Sequence, residues 1–203
     1  MTTHQLTLLT VTGIAACWGA LALAWLFGAI YYESQAPAER TRSSWFSAGV
    51  SLALLLTVGV DRGMPRSIWN TVALPAWVRI LGLVILVAGT AFAIWARLVL
   101  GAMWSAVPAV KEEHKLRTSG PYRVTRHPIY TGLLAMLGGT GLLIGDGRGI
   151  VVAFPLYVVL IQIKLHIEER LMLAEFPEDY PRYRQRVPQL VPGLGLSRKR
   201  HSS

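Results

Sequence analysis

Residues 76–100 read AWVRILGLVILVAGTAFAIWARLVL, an apolar run whose only charges, Arg79 and Arg97, stand near its two ends. Roughly 20 helical residues cross the hydrocarbon of a bilayer, so this stretch is long enough to span one. Leu6 to Tyr31 is a second run of sufficient length and carries no charge at all. Further out, Trp45 to Val60 forms a shorter run and Pro128 to Ile144 another. Ile150 to Ile163 forms the last, with Pro155 inside it as an expected kink. Within lipid every backbone N–H and C=O must be paired inside its own segment, which excludes an open sheet. The pattern predicts an all-α, polytopic transmembrane helical bundle of about five spans in a single domain, 1–203. Three spans fall in residues 1–100, and residues 101–192 hold a polar loop, a helical hairpin and an amphipathic segment. Residues 193–203 form a basic tail.

Composition agrees. The 203 residues are 53% hydrophobic and 15% charged, where soluble domains carry about a quarter charged residues; the mean hydropathy is +0.43. Disorder, a coiled coil and a disulfide scaffold are excluded. Cys17 is the single cysteine, so neither an intrachain disulfide nor a cysteine-based zinc site is expected, and no metal centre is predicted. No Lys or Arg precedes the first run, and no short apolar stretch leads to a small-residue cleavage site, so a retained helix is expected rather than a removed signal.

The net charge of +9 sits between and after the apolar runs. A bilayer is therefore the expected partner, and nucleic acid is not. With the N-terminus outside, the inner segments hold 16 Lys and Arg and the outer ones 4, namely Arg62, Arg66, Arg79 and Arg148. That asymmetry predicts an N-out, C-in arrangement with the ionisable connection 101–127 on the cytoplasmic side. Trp45, Trp69, Trp77 and Trp104 fall near run ends, as indoles do at the headgroup layer.

Gly139-Thr140-Gly141-Leu142-Leu143-Ile144-Gly145 superficially matches a dinucleotide fingerprint, but no strand precedes it. Gly141 and Gly145 are better read as a small-xxx-small pair for close helix approach. The chemistry concentrates elsewhere. Gly120-Pro121 forces a turn before Tyr122, and Pro128 suits the first turn of a helix. Arg126 and His127 then stand at a helix N-terminus, a place that favours anionic ligand groups, although a basic membrane-edge anchor reads the same residues. Lys164, Glu168 and Glu169 extend the last span past its apolar part. Lys164 and Glu168 are i,i+4 neighbours, so a plain surface pair is the competing account. Two adjacent carboxylates at a membrane edge are nonetheless costly and mark a candidate site. The Tyr–Arg alternation from Tyr180 to Arg186 is either interfacial or closes a pocket over both clusters.

Taken together, these segments resemble the isoprenylcysteine carboxyl methyltransferase family and its bacterial and archaeal relatives, a group akin to membrane phospholipid methyltransferases. The resemblance runs from about Trp104 to Pro192. It comprises Leu116 through Gly120-Pro121-Tyr122, then Arg126-His127-Pro128-Ile129-Tyr130-Thr131-Gly132, then Glu168-Glu169-Arg170-Leu171, Phe176, Tyr180, Tyr183 and Arg186-Val187-Pro188. Phe176-Pro177 stands where relatives carry Phe-Gly. The resemblance implies S-adenosyl-L-methionine as cofactor, with Arg126, His127, Pro128, Tyr130, Glu168 and Glu169 around it. It implies that the segment from His114 through Leu116 and Gly120 to Tyr122 wraps the adenosine. Lys164 matches a position near the substrate.

Methyl transfer from a sulfonium needs no nucleophile or metal from the protein, and positioning with water exclusion does most of the work. The cofactor's carboxylate calls for Arg126 or His127 and its ammonium for Glu168 or Glu169. Tyr122, Tyr130 and Trp104 could stack on adenine or face the sulfonium. Arg186 or Lys164 would orient a carboxylate acceptor; an amine acceptor would need Glu168 or His127 as base. The expected acceptor is a lipophilic or lipidated molecule of the isoprenylcysteine type. A phospholipid amine, a small thiol, an NADPH-dependent sterol-type reduction and a non-enzymatic membrane role are the alternatives. Glu169→Ala and His127→Ala are expected to weaken cofactor binding while sparing the fold.

Overall fold

The computed structural model describes residues 3–33, 74–101, 116–145 and 154–191. The expected span at 45–60, Trp104, His114, the turn at 146–149 and the tail at 193–203 lie outside them. Five α-helices and one 3-10 turn are described, with no strand among these residues: α1 Thr3–Glu33, α2 Ala76–Leu100, the turn Gly120–Arg123, α3 Pro128–Ile144, α4 Phe154–Glu175 and α5 Asp179–Arg186. The regions His4–Gly28 and Ala76–Leu100 are long and apolar enough to cross a membrane, and Pro128–Ile144 is a shorter apolar helix. Pro155 is the second described residue of α4, and the residues before it, which the expected kink would involve, lie outside the described region.

Local chemistry sets the helix ends. Pro75 precedes α2, and its carbonyl accepts from Val78 and Arg79 N–H at 3.0 and 3.3 Å. Gly101, at φ 54, ends that helix and returns its N–H to the Arg97 carbonyl. The Arg97 Nη1 in turn donates to Gly101 O at 3.1 Å, a cation placed where the helix dipole welcomes it. α3 ends at Gly145, whose φ of 78 and bonds to Gly141 O and Leu142 O make a left-handed cap.

The closest packing joins α2 to α3. Leu86, Ala93, Met136 and Leu143 are fully buried there, with Cys17 and Leu21 of α1 completing the cluster. The small residues that permit this approach are Gly82 and Gly89 of α2 against Gly132 and Gly139 of α3: a Cβ at any of the four would meet the opposite backbone at under 3.0 Å. These four are not the Gly141 and Gly145 expected from the sequence. Gly145 instead serves as a helix cap beside Arg79, whose side chain a Cβ there would meet at 3.1 Å. Seven-residue spacing, not four, sets the glycine stripe on α3.

Polar side chains at three levels tie the helices. At one end Arg79 donates through Nε to Leu143 O at 3.0 Å and through Nη2 to Thr10 Oγ1 at 2.9 Å. In the middle, Trp18 Nε1 donates to Thr140 Oγ1 at 3.1 Å. Near the other end Arg97 is buried against α1, and a Cβ at Gly28 would collide with its guanidinium. α4 leans on α3 through a smaller cluster, in which Ile161, Leu165 and Leu190 pack against Tyr130 and Leu134. Its other face leaves Val159, Ile163 and Ile167 exposed, while α1 exposes Leu23, Leu26 and Ile30 and α2 exposes Trp77, Val84 and Leu98. Apolar surface on that scale fits lipid rather than water.

Candidate active site

The site is built on the chain that turns from the 3-10 element into α3. Gly120 takes φ 61, a conformation open to glycine, and Pro121 starts the turn, with Val124 and Thr125 N–H returning to Pro121 O at 3.0 and 3.2 Å. Tyr122 is buried, and its carbonyl accepts from Tyr183 OH at 2.6 Å. Thr125 is completely buried and donates to Gln189 O at 2.6 Å. The residues after α5 run alongside this corner as a strap. Arg126 N–H bonds Pro188 O at 2.9 Å, His127 N–H bonds Gln189 O at 3.2 Å, and Thr131 Oγ1 donates to Leu190 O at 2.7 Å. The strap fixes the backbone of Arg126 and His127 just before Pro128 opens α3.

Across from that corner, α4 carries Glu168 and Glu169. Arg126 Nη2 lies 3.0 Å from Glu169 Oε1, and both side chains are 8% exposed. The same oxygen takes Gln189 Nε2 at 3.1 Å and lies 3.4 Å from His127 Nε2, while Arg184 Nε stands 3.7 Å from Oε2. Glu168 is the more open carboxylate: Tyr130 OH donates to its Oε1 at 2.7 Å, Lys164 Nζ lies 3.5 Å away, and His127 Nδ1 stands 3.7 Å from Oε2. The buried Arg126 Nε, Arg126 Nη1, His127 Nε2 and Tyr180 OH have no hydrogen-bond partner. Buried polar atoms left this way call for a partner, and a ligand would supply one.

The electrostatics follow from these neighbours. Burial alone would raise the Glu169 pKa, but the neighbouring His127, Arg126 and Arg184 outweigh it and hold the carboxyl below its ordinary value. Burial pushes the hydroxyls of Tyr122, Tyr180 and Tyr183 up, so they remain protonated donors at neutral pH. Because folding depresses the Glu169 pKa, its stabilising contribution is complete above about pH 4.3, the unfolded carboxyl value, and is lost as pH falls through the lower folded value. The detergent-solubilised protein should accordingly show an acid loss of melting temperature that Glu169→Gln removes, measured by thermal scans from neutral to acid pH.

Of the residues singled out from sequence, Arg126, His127, Tyr130, Lys164, Glu168 and Glu169 come together. Pro128 is buried at the first position of α3. Gly120 and Tyr122 shape the adjoining turn, and Leu116 is half-buried at its approach. His114 lies outside the described residues. Arg186 is exposed on the last turn of α5, and Arg184 is the arginine that approaches the carboxylates. Phe176-Pro177 ends α4 without disturbing the entry into α5: Phe176 N–H still reaches Met172 O at 2.9 Å, and Tyr180 beyond it is 2% exposed. Thr125, Gln189 and Arg184 were not predicted as site residues. The buried Tyr180–Tyr183 pair, one helical turn apart, is a periodic signal that could have placed Arg184 beside the site.

The same architecture occurs in a solved eukaryotic intramembrane Ras methyltransferase, isoprenylcysteine carboxyl methyltransferase. The likeness has a TM-score of 0.58 at 19% identity and covers 90% of this chain and 68% of that one, and it shows a common fold. A family model described as phospholipid methyltransferase matches residues 77–179. The chain belongs to this family, as its resemblance to the isoprenylcysteine enzymes suggests. Among curated relatives, Methanethiol S-methyltransferase 2 of Bradyrhizobium diazoefficiens is 31% identical over 157 residues, covering 73% of this chain and 59% of that protein. Protein-S-isoprenylcysteine O-methyltransferase B of Arabidopsis thaliana is 29% identical over 119 residues, 57% of this chain and 60% of its own length. The chain thus spans less than two thirds of either relative.

Proposed function

We propose that this chain is an integral membrane methyltransferase that uses S-adenosyl-L-methionine to methylate a lipophilic acceptor, in the first instance the carboxylate of an isoprenylcysteine-like molecule. The observation that carries the reading is the buried Arg126, paired with Glu169 through one nitrogen while Nε and Nη1 stay unpartnered beside His127 Nε2. These donors suit the cofactor's carboxylate. The residues present therefore fit the group, with Glu168, half-buried and less heavily engaged than Glu169, for its ammonium. When bound, the cofactor supplies a methyl group already activated on a sulfonium. The chain's own residues orient, exclude water and balance charge: Tyr130 holds Glu168 by its hydroxyl, Tyr122 closes the floor of the turn, and Lys164 offers a cation to an anionic acceptor.

A small thiol is the second acceptor, favoured by the methanethiol S-methyltransferase relative; Lys164 would steady a thiolate as it would a carboxylate. We assign five spans, an outside N-terminus and a cytoplasmic site on the distribution of Lys and Arg, with the open faces of α1, α2 and α4 in lipid. The direct test is thermal: S-adenosylhomocysteine should raise the melting temperature of the solubilised protein and NADPH should not. Membranes given radiolabelled cofactor and a panel of prenylcysteine, thiol, fatty-acid and phospholipid acceptors then identify the product. Methyl esters are base-labile, while S- and N-methyl products are not. No thermal shift with S-adenosylhomocysteine would end this reading.

A further inference from the structure

Gln189 lies in the strap after α5, twenty positions beyond Glu169, and donates from Nε2 to Glu169 Oε1 at 3.1 Å. Its carbonyl separately accepts from His127 N–H and Thr125 Oγ1, so the strap is fastened through backbone atoms whatever side chain stands at 189. The side chain therefore has a role of its own. An arginine facing a lone carboxylate ordinarily makes the forked, two-bond pair, which is stronger and more specific than a single contact. Arg126 does not: one nitrogen reaches Oε1 at 3.0 Å, and Nε and Nη1 remain without partners. Oε1 is already shared with Gln189, and the other oxygen is turned towards Arg184 at 3.7 Å.

We propose that Gln189 is a positioning residue: by occupying and orienting Glu169, it prevents the forked Arg126–Glu169 pair and keeps a second guanidinium nitrogen available to a ligand carboxylate. The inference rests on the cofactor reading above and adds a specific cause for the site's readiness. Without the amide, Glu169 is free to turn and take a second arginine donor beside Nη2. The unliganded protein then gains a better internal ion pair and its anion site is weakened.

The test compares Gln189→Met, which keeps side-chain length without a donor, with Gln189→Leu, which replaces the amide by an apolar end of similar size. Each is purified in detergent and melted with and without S-adenosylhomocysteine, and affinity is measured by calorimetry. The expected result for both is an unliganded melting temperature equal to or above that of the wild type, a diminished ligand shift and about tenfold weaker affinity, some 1.4 kcal/mol. A merely structural role moves the other way. A lowered unliganded melting temperature in both variants, or wild-type affinity in both, overturns the proposal. The wild-type chain is the separate check on the cofactor reading: a wild type with no shift sinks that reading itself, and with it the ligand role given to Gln189.

Discussion

In Glu169→Ala, binding of S-adenosylhomocysteine is expected to fall about a hundredfold or more, and stability by about 3–5 kcal/mol, the range for removing one partner of a buried ion pair. Arg126 is the reason for the second effect. Its side chain is 8% exposed and Glu169 is its counter-ion at 3.0 Å, so truncation leaves a buried guanidinium without a balancing charge. The sequence suggested that this substitution would spare the fold, but the burial of the pair argues otherwise. Glu168→Ala should behave differently, because Glu168 is 27% exposed and its partners Lys164 and Tyr130 can turn to water. It should lose affinity with little change in melting temperature. The double variant Glu169→Ala/Arg126→Met separates the two effects: removing both charges should restore much of the stability and none of the binding. A Glu169→Ala protein that melts and binds as the wild type does would show that the pair serves neither purpose.

The parts of the candidate site that the sequence marked out are those whose chemistry is out of place where it stands. Arg126-His127 before a helix-opening proline, and Glu168-Glu169 past the end of an apolar run, are charged groups at a membrane edge, so their cost makes them conspicuous. Gln189 and Thr125 carry no such mark. Both are neutral, sit in segments without periodicity, and matter only because the strap folds back against the corner before α3. The choice of Arg184 over Arg186 turns on the phase of an eight-residue helix, which Tyr180 and Tyr183 set by being buried. The helices themselves were legible, and α2 and α3 end where their apolar runs end. Their facing surfaces were not, because an all-apolar helix has no polar side to indicate which glycines point inward.

That ambiguity gives the second large effect. Gly139→Ala should destabilise the bundle by at least the roughly 1–3 kcal/mol typical of overpacking, whereas Gly19→Ala should be neutral or slightly stabilising. A Cβ at Gly139 would lie 2.6 Å from Leu86 N and 2.7 Å from Gly82 O, while one at Gly19 meets nothing within 4 Å. The obstructing atoms at Gly139 are backbone, so no rotamer change relieves the contact and α2 and α3 must separate. In lipid there is no hydrophobic gain to hold them together, and association rests on the close packing that separation removes. The effect should be felt at the site as well, because α3 begins with the corner that carries Arg126 and His127. Affinity for S-adenosylhomocysteine is therefore expected to fall along with the melting temperature. Helix propensity alone favours alanine over glycine by about 1 kcal/mol in both variants, so the comparison cancels that term and isolates the interhelical contact. Equal melting temperatures for the two proteins would mean that the α2–α3 seam is looser than this backbone contact requires.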